Sequence, residues 1–271
     1  MQINQIPIIN YHKVLPNYDI GVTTRHPDSF ETDLKILKSY NFNSITFDDL
    51  EKSRPLPDNP VIITFDDAYK SILENAVPIM QRYGFEGIIY PVTNFIGSFN
   101  DWDVQMGLFR FEHLSWRDLK ECMALGFEIG SHTQSHELLT WMGPQKQMAE
   151  LLDSRKELEN ILGVNIYSVS YPFGRFNADT LYCAEQAGYS YGLASVYYRK
   201  VNEQKQKYAL KRFNIYRFDT KLQFERKLGI CSNKRIFFRD WLIQKGGMGT
   251  AFLQSVRTQF HNNGKTAQAE S

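Results

Sequence analysis

Short apolar runs alternate with longer stretches of helical spacing along most of this chain, and that alternation narrows the folds open to it. Val61 to Phe65 (VIITF) is continuously apolar and β-branched, the pattern of a parallel strand buried on both faces. Further strand-like runs lie at Ile6 to Tyr11, Gly87 to Val92, Phe127 to Gly130, Ser168 to Tyr171, Tyr191 to Ala194 and Phe213 to Tyr216. Between them, helical spacing predicts helices over Phe30 to Tyr40, Ser71 to Tyr83, Trp116 to Leu125, Gln145 to Leu162 and Asn177 to Ala187. Ser29 stands where the first helix wants a cap, and Gly84, Gly126, Gly163 and Gly188 stand where four helices should stop. Strand–helix repetition of this kind predicts an α/β fold, a parallel sheet with helices outside it. At 271 residues with 42% hydrophobic content, one barrel of about 250 residues fits the chain.

Bulk properties exclude several classes of function. The charge balance, 31 basic against 30 acidic residues, supplies no long-range attraction to nucleic acid. Three cysteines (Cys122, Cys183, Cys231), with no CxxC pair, do not make a disulfide framework and suit a reducing compartment. No run of 18 apolar residues occurs, and MQINQIPIINYHKVLP lacks a basic leader region, so it reads as a strand. The expected location is cytoplasmic.

In parallel α/β folds, active sites gather at the C-terminal ends of strands. The polar residues of this chain obey that rule. Asp66 and Asp67 follow VIITF, His132 and His136 follow FEIG, Tyr171 to Gly174 (YPFG) end the strand from Ser168, and His12 ends the first strand. The His132–x3–His136 spacing brings two imidazoles to one point if the segment makes a helical turn. Two imidazoles and one carboxylate make a zinc-type site with an open water position. One aspartate then binds metal while its neighbour takes a proton from the bound water. Each half of this pattern has an ordinary reading as well: Asp-Asp often starts a turn, and HxxxH often lies on a helix surface. Their convergence at strand ends favours chemistry.

The motifs TFDD at 64–67, SHTQSH at 131–136 and YPFG at 171–174 resemble those of the polysaccharide deacetylases, carbohydrate esterase family 4. The similarity runs from about Ile6 to Arg217. It implies a distorted (β/α) barrel with fewer than eight complete units and an activity that removes N-acetyl groups from an amino-sugar glycan. It also implies roles: Asp66 as catalytic base, Asp67, His132 and His136 as metal ligands, and the Phe173 N–H as oxyanion donor. Thr133 becomes a local hydrogen-bonding support. The metal implied is divalent, zinc first, with cobalt or nickel also suited to the donor set.

Two departures qualify the resemblance. Many members carry an arginine two residues before the proline of the third motif, where this chain has Ser170; Arg175 and Arg212 are the candidate substitutes. Many also supply a general acid from a late Leu-x-His, whereas here no histidine lies between His136 and His261. Poly-N-acetylglucosamine deacetylases look circularly permuted, with that histidine on an N-terminal strand, and IPIINYHKV resembles their opening. His12, protonated, is then the expected acid, with His26 and His113 as weaker contenders.

Tyr171, Trp102 and Asp103 are expected to contact substrate, and Trp141 to wall the pocket. The alternatives are an O-acetyl esterase or other amide hydrolase on the same barrel, or a carbohydrate-binding protein without catalysis. The barrel is expected over residues 1–230. Residues 231–271 are expected to form an amphipathic helix and a polar tail. Phe237, Phe238, Trp241 and Leu242 make the apolar face of that helix, and Lys234, Arg235, Arg239 and Lys245 flank it. Such a helix suits peripheral contact with the inner face of a membrane through 234–245.

Overall fold

A computed structural model describes residues 3–17, 19, 21–99, 110–195, 201–231 and 239–243. The strands are β1 (Ile8–Tyr11), β2 (Lys13–Val14), β3 (Thr24–Arg25), β4 (Asn43–Ser44), β5 (Pro60–Asp67), β6 (Ile88–Pro91), β7 (Glu128–Ile129), β8 (Ser168–Ser170), β9 (Tyr191–Ser195) and β10 (Leu210–Asn214). The α-helices are α1 (Pro27–Ser39), α2 (Phe47–Glu51), α3 (Val77–Arg82), α4 (Trp116–Ala124), α5 (Pro144–Leu162), α6 (Ala178–Gln186) and α7 (Lys221–Lys227). A π-helical turn, Ile72–Ala76, leads into α3.

Seven strands pair in parallel in the order β7-β6-β5-β1-β10-β9-β8, with β4 added beside β5. A parallel bridge between Ser131 and Val169 joins the two ends, with Ser131 N–H donating to the Ser168 carbonyl at 3.0 Å and Ser170 N–H donating to Ser131 at 2.8 Å. The result is a distorted barrel with fewer than eight complete units, as the family resemblance implies. The first strand lies between β10 and β5, so the chain's start and its last barrel strand are neighbours.

Two hydrophobic layers follow from the two-residue period of the strands. Ile9, Tyr11, Val61, Ile63 and Phe65 face outward and pack under the helices. Ile8, Ile62, Ile88, Leu193 and Leu210 fill the lower interior of the barrel. Two positions further along, the same interior faces carry Asn10, Thr64 and Arg212, and two beyond Thr64 comes Asp66, so the interior turns from apolar to polar toward the C-terminal strand ends. That gradient positions the site.

Several local expectations shift. Helix α1 starts at Pro27 rather than Phe30, because His26 caps it by accepting from the Asp28 N–H, and Pro27 has the φ a first turn needs. The last barrel strand starts at Leu210, three residues before the predicted Phe213. Lys211 and Arg212 masked its apolar pattern, and Arg212 is tolerated inside because Asp66 neutralises it. Beyond residue 231 only 239–243 are described. There Asp240 is buried and ion-pairs with Lys227 at 2.8 Å, which fastens this stretch to the barrel. Phe237, Phe238, Lys234, Arg235 and Lys245 lie outside the described residues. No described helix is long and apolar enough to cross a membrane.

Candidate active site

Asp66 is the most heavily bonded carboxylate in the barrel mouth. The Arg212 guanidinium grips it with both arms, Nη1 to Oδ1 at 2.7 Å and Nη2 to Oδ2 at 2.5 Å. The Ser170 hydroxyl donates to Oδ1 at 3.0 Å and Asn10 Nδ2 to Oδ2 at 3.1 Å. Arg212 also donates to the Ser170 hydroxyl at 2.6 Å and to Asn10 Oδ1 at 3.1 Å. Burial alone would raise the Asp66 pKa, but Arg212 and then His132 reverse this and hold it well below the usual carboxylate range. Asp66 is therefore ionised and locked in orientation. Of the two candidate substitutes for the missing arginine, Arg212 fills the place, reaching Asp66 from β10 across the barrel. Asn10 and the Ser170 hydroxyl are partners that sequence reasoning missed. The signal for Asn10 was available, since its amide interrupts the apolar run of the first strand.

Neighbours in a strand point to opposite faces, so Asp66 and Asp67 cannot both face the mouth in regular β conformation. Asp67 has φ 65, which turns its side chain back toward the mouth, and His113 Nδ1 meets its carbonyl oxygen at 2.5 Å. The histidine segment does the same without a helix. Residues 132–136 do not make the expected helical turn; instead Thr133 (φ 67) and His136 (φ 59) are left-handed, and the chain doubles back to aim both rings. Among the described residues, seven non-glycine residues have positive φ, and five of them (Asp67, Ala68, Thr133, His136, Phe173) lie in the three motif loops. Such conformations cost about 1–3 kcal/mol each and persist where surrounding bonds enforce them. Thr133 supplies one of those bonds, its hydroxyl accepting from the His136 N–H at 3.3 Å.

Asp67, His132 and His136 each offer one ligand atom, all within 4.8 Å of one another. Asp67 Oδ1 is 3.6 Å from His132 Nε2 and 3.5 Å from His136 Nε2. Tetrahedral ligands at bonds of about 2.1 Å stand about 3.4 Å apart, which the two Asp67–histidine separations match, and a carboxylate with two imidazoles is a donor set suited to a small divalent cation. His132 Nδ1 is hydrogen-bonded to the Ser170 carbonyl at 2.7 Å, and as its donor leaves the Nε2 lone pair for the cation. Burial lowers the pKa of His132, and that of His136 further, keeping both rings in the neutral form that binds metal.

The remaining expected residues divide. His12 is half-buried beside this cluster, and its Nδ1 is buried with no hydrogen-bond partner. Burial, against the pull of Asp66, lowers its pKa to about 4, so it rests neutral at pH 7 rather than protonated as expected. The weaker contenders are spoken for: His26 caps α1, and His113 is buried against Tyr69 while holding Asp67. The Phe173 backbone is left-handed (φ 59), and its ring lies 5.1 Å from that of His136. Tyr171 does not reach the mouth. It is fully buried, its hydroxyl donates to the Tyr208 carbonyl at 2.9 Å, and it packs against Gly192, where an added Cβ would lie 2.2 Å from the Tyr171 hydroxyl oxygen. Its expected substrate contact is thus corrected to a core role. Trp102 and Asp103 lie outside the described residues. Trp141 is 50% exposed. A cavity of about 690 Å³, lined by Thr46, Glu86, Glu128 and Tyr167 among others, lies by the N-terminal ends of β6, β7 and β8, away from these groups.

The family model for polysaccharide deacetylases matches residues 53–192. The chain belongs to the polysaccharide deacetylase family. It is similar to YxkH of Bacillus subtilis (strain 168), whose name is that of a provisional polysaccharide deacetylase, at 29% identity over 195 residues, 70% of this chain and 64% of the relative. It is similar also to the poly-beta-1,6-N-acetyl-D-glucosamine N-deacetylase of Staphylococcus aureus (strain MRSA252), at 27% identity over 203 residues, 70% of this chain and 66% of that protein. In both cases the match spans just under two thirds of the relative. The Streptococcus pyogenes deacetylase PplD, solved in complex with acetate, shares the fold with a TM-score of 0.68 at 22% identity, covering 82% of this chain and 97% of that one. In this chain the candidate metal triad Asp67, His132 and His136 lies beside the ionised Asp66.

Proposed function

We propose that this chain is a metal-dependent deacetylase that removes N-acetyl groups from the amino sugars of a polysaccharide, with zinc as the favoured metal and cobalt or nickel as working substitutes. The observation that carries the reading is the pairing of the Asp67–His132–His136 triad with Asp66, adjacent in sequence yet ionised and aimed by Arg212. The resemblance to the staphylococcal N-deacetylase supports an N-acetylglucosamine polymer as the substrate class.

A divalent metal held by the triad supplies Lewis acidity and lowers the pKa of its bound water toward about 7. Every other task falls to the chain. Asp66 accepts the proton of the attacking water. The Phe173 N–H donates to the oxygen that gains negative charge. His12 delivers a proton to the departing amine, which leaves poorly as an anion. Because His12 rests neutral, it must be loaded within the cycle, and the proton collected by Asp66 is the one the amine needs. One proton enters from water and the same count leaves with the amine.

Acetate release from N-acetylglucosamine oligomers, measured on metal-stripped protein with and without zinc, tests the proposal. Asp66→Asn should keep the metal and lose turnover by about 10²–10⁴-fold. His132→Ala should lose metal and turnover together. An Asp66→Asn variant with near wild-type turnover refutes the base assignment; a wild-type protein that binds no zinc refutes the metal reading.

A further inference from the structure

The two triad histidines stand on a segment without regular structure, so no helix ladder fixes their separation. From one side, the Thr93 N–H donates to the Thr133 carbonyl at 3.1 Å and the Asn94 N–H to the Gln134 carbonyl at 3.0 Å. From the other side comes a single carboxylate. Glu150 Oε2 accepts from the backbone N–H groups of Gln134 at 2.9 Å and Ser135 at 3.0 Å, and Oε1 accepts from the Ser135 hydroxyl at 2.7 Å. Three bonds thus close on two consecutive residues lying between the two ligands.

Glu150 is well placed to act as an anchor. It lies on α5, 19 residues long and seated in the core through Leu151, Leu158 and Leu162. Four residues on, along the same helix face, Ser154 hydrogen-bonds through its hydroxyl to the Ser131 hydroxyl at 2.8 Å, directly before His132. One face of one helix therefore grips the segment at Ser131 and again at 134–135. Ionised acceptors on backbone N–H groups make stronger bonds than neutral ones, and here they hold a segment whose left-handed residues would otherwise relax.

We propose that Glu150 is a positioning residue of the metal site: its clasp on residues 134–135 sets the distance between the His132 and His136 rings and so the metal affinity. The inference rests on the metal reading above. Outer-shell partners of this kind typically alter metal affinity by about 10–100-fold.

The test is the zinc Kd of the metal-stripped chain, from competition with a chromophoric chelator, for wild type, Glu150→Ala, Glu150→Gln and Ser135→Ala. Glu150→Ala should weaken zinc binding by about 10–100-fold. Glu150→Gln, which keeps one acceptor oxygen, and Ser135→Ala, which loses one bond of three, should fall between. Amide exchange at Gln134 and Ser135 of the metal-free chain should quicken in Glu150→Ala while β1 and β5 stay protected. A purely structural role predicts the opposite: lower stability without metal and an unchanged Kd. If Glu150→Ala fails to fold, Glu150→Gln and Ser135→Ala decide. Values within twofold of wild type overturn the clasp. A wild-type chain that takes up no zinc refutes the metal reading itself, an outcome separate from the clasp failing.

Discussion

Replacing Arg212 with methionine isolates the electrostatics of the barrel mouth. Arg212 and Asp66 are each 4% exposed at the side chain, so the pair is desolvated on both sides. The substitution removes two of the four hydrogen bonds to Asp66 and all of the local positive charge from the guanidinium, leaving Asn10 and Ser170 as donors. Breaking a buried pair from one side costs about 3–5 kcal/mol, because the surviving charge is left in a dry site. For a chain of this length that is a fall in Tm of about 6–10 °C. The pH dependence identifies the cause. In the native protein the Asp66 pKa is depressed, so its contribution is present above its ordinary value of 3.8 and fades only as pH falls through the lower folded value. In the variant, burial acts unopposed and raises that pKa, so ionising Asp66 destabilises the fold as pH climbs. The gap between variant and native protein should therefore widen from pH 4 to pH 7 by about 1 kcal/mol or more, the equivalent of one pKa step. Urea denaturation of metal-stripped protein at both pH values measures it. A gap below about 1 kcal/mol at pH 7, or one that does not change with pH, refutes the argument. Arg212→Lys keeps the charge but loses the two-armed grip, and should recover part of the stability while acetate release stays low.

Other expectations concern the acid and a remote carboxyl. His12→Ala should slow release of acetate from N-acetyl substrates far more than from aryl acetates, whose leaving groups need no proton; equal losses on both would remove His12 from the role of acid. Glu128 at the opposite end of the barrel has its pKa raised to about 8, first by burial, with Asp48 N–H donating to Oε2 at 2.8 Å. Its folded value lies above the ordinary 4.5, so full stability is present below pH 4.5 and is lost as pH rises through about 8. Glu128→Gln should match the native protein near pH 4 and exceed it at pH 9, by at most about 5 kcal/mol. Parallel stability curves across that range would show that the carboxyl is not held neutral.

Much of this site was legible along the chain. Strand-end position, two adjacent aspartates, the HxxxH spacing and YPFG were enough to name Asp66, Asp67, His132 and His136, because each motif is local and sits where a parallel strand hands over to a loop. The parallel sheet with helices outside it was legible for a similar reason, since buried parallel strands leave continuous apolar runs such as VIITF, while the distorted barrel came from the family resemblance. Boundaries failed where a charge was neutralised at a distance, as at Arg212, or where a cap came from an unexpected side chain, as at His26. Tyr171 was misread because a motif residue and a core residue look alike until the partner of its hydroxyl, the Tyr208 carbonyl, is known.

Residue types and their order along the chain thus determined the fold class and the donors available for chemistry. Tertiary structure alone decided how those donors are oriented and charged. Arg212 reaches Asp66 across 146 positions of sequence, and Asn10 reaches Asp66 across 56, contacts that exist only because β10 and β5 flank β1. Left-handed turns at Asp67, Thr133 and His136 reverse side chains that strand or helix geometry would have pointed elsewhere. Burial then keeps the two ligand imidazoles neutral while Arg212 keeps Asp66 ionised. Desolvation and Coulomb attraction depend on distances in three dimensions, and no local pattern of residues encodes them.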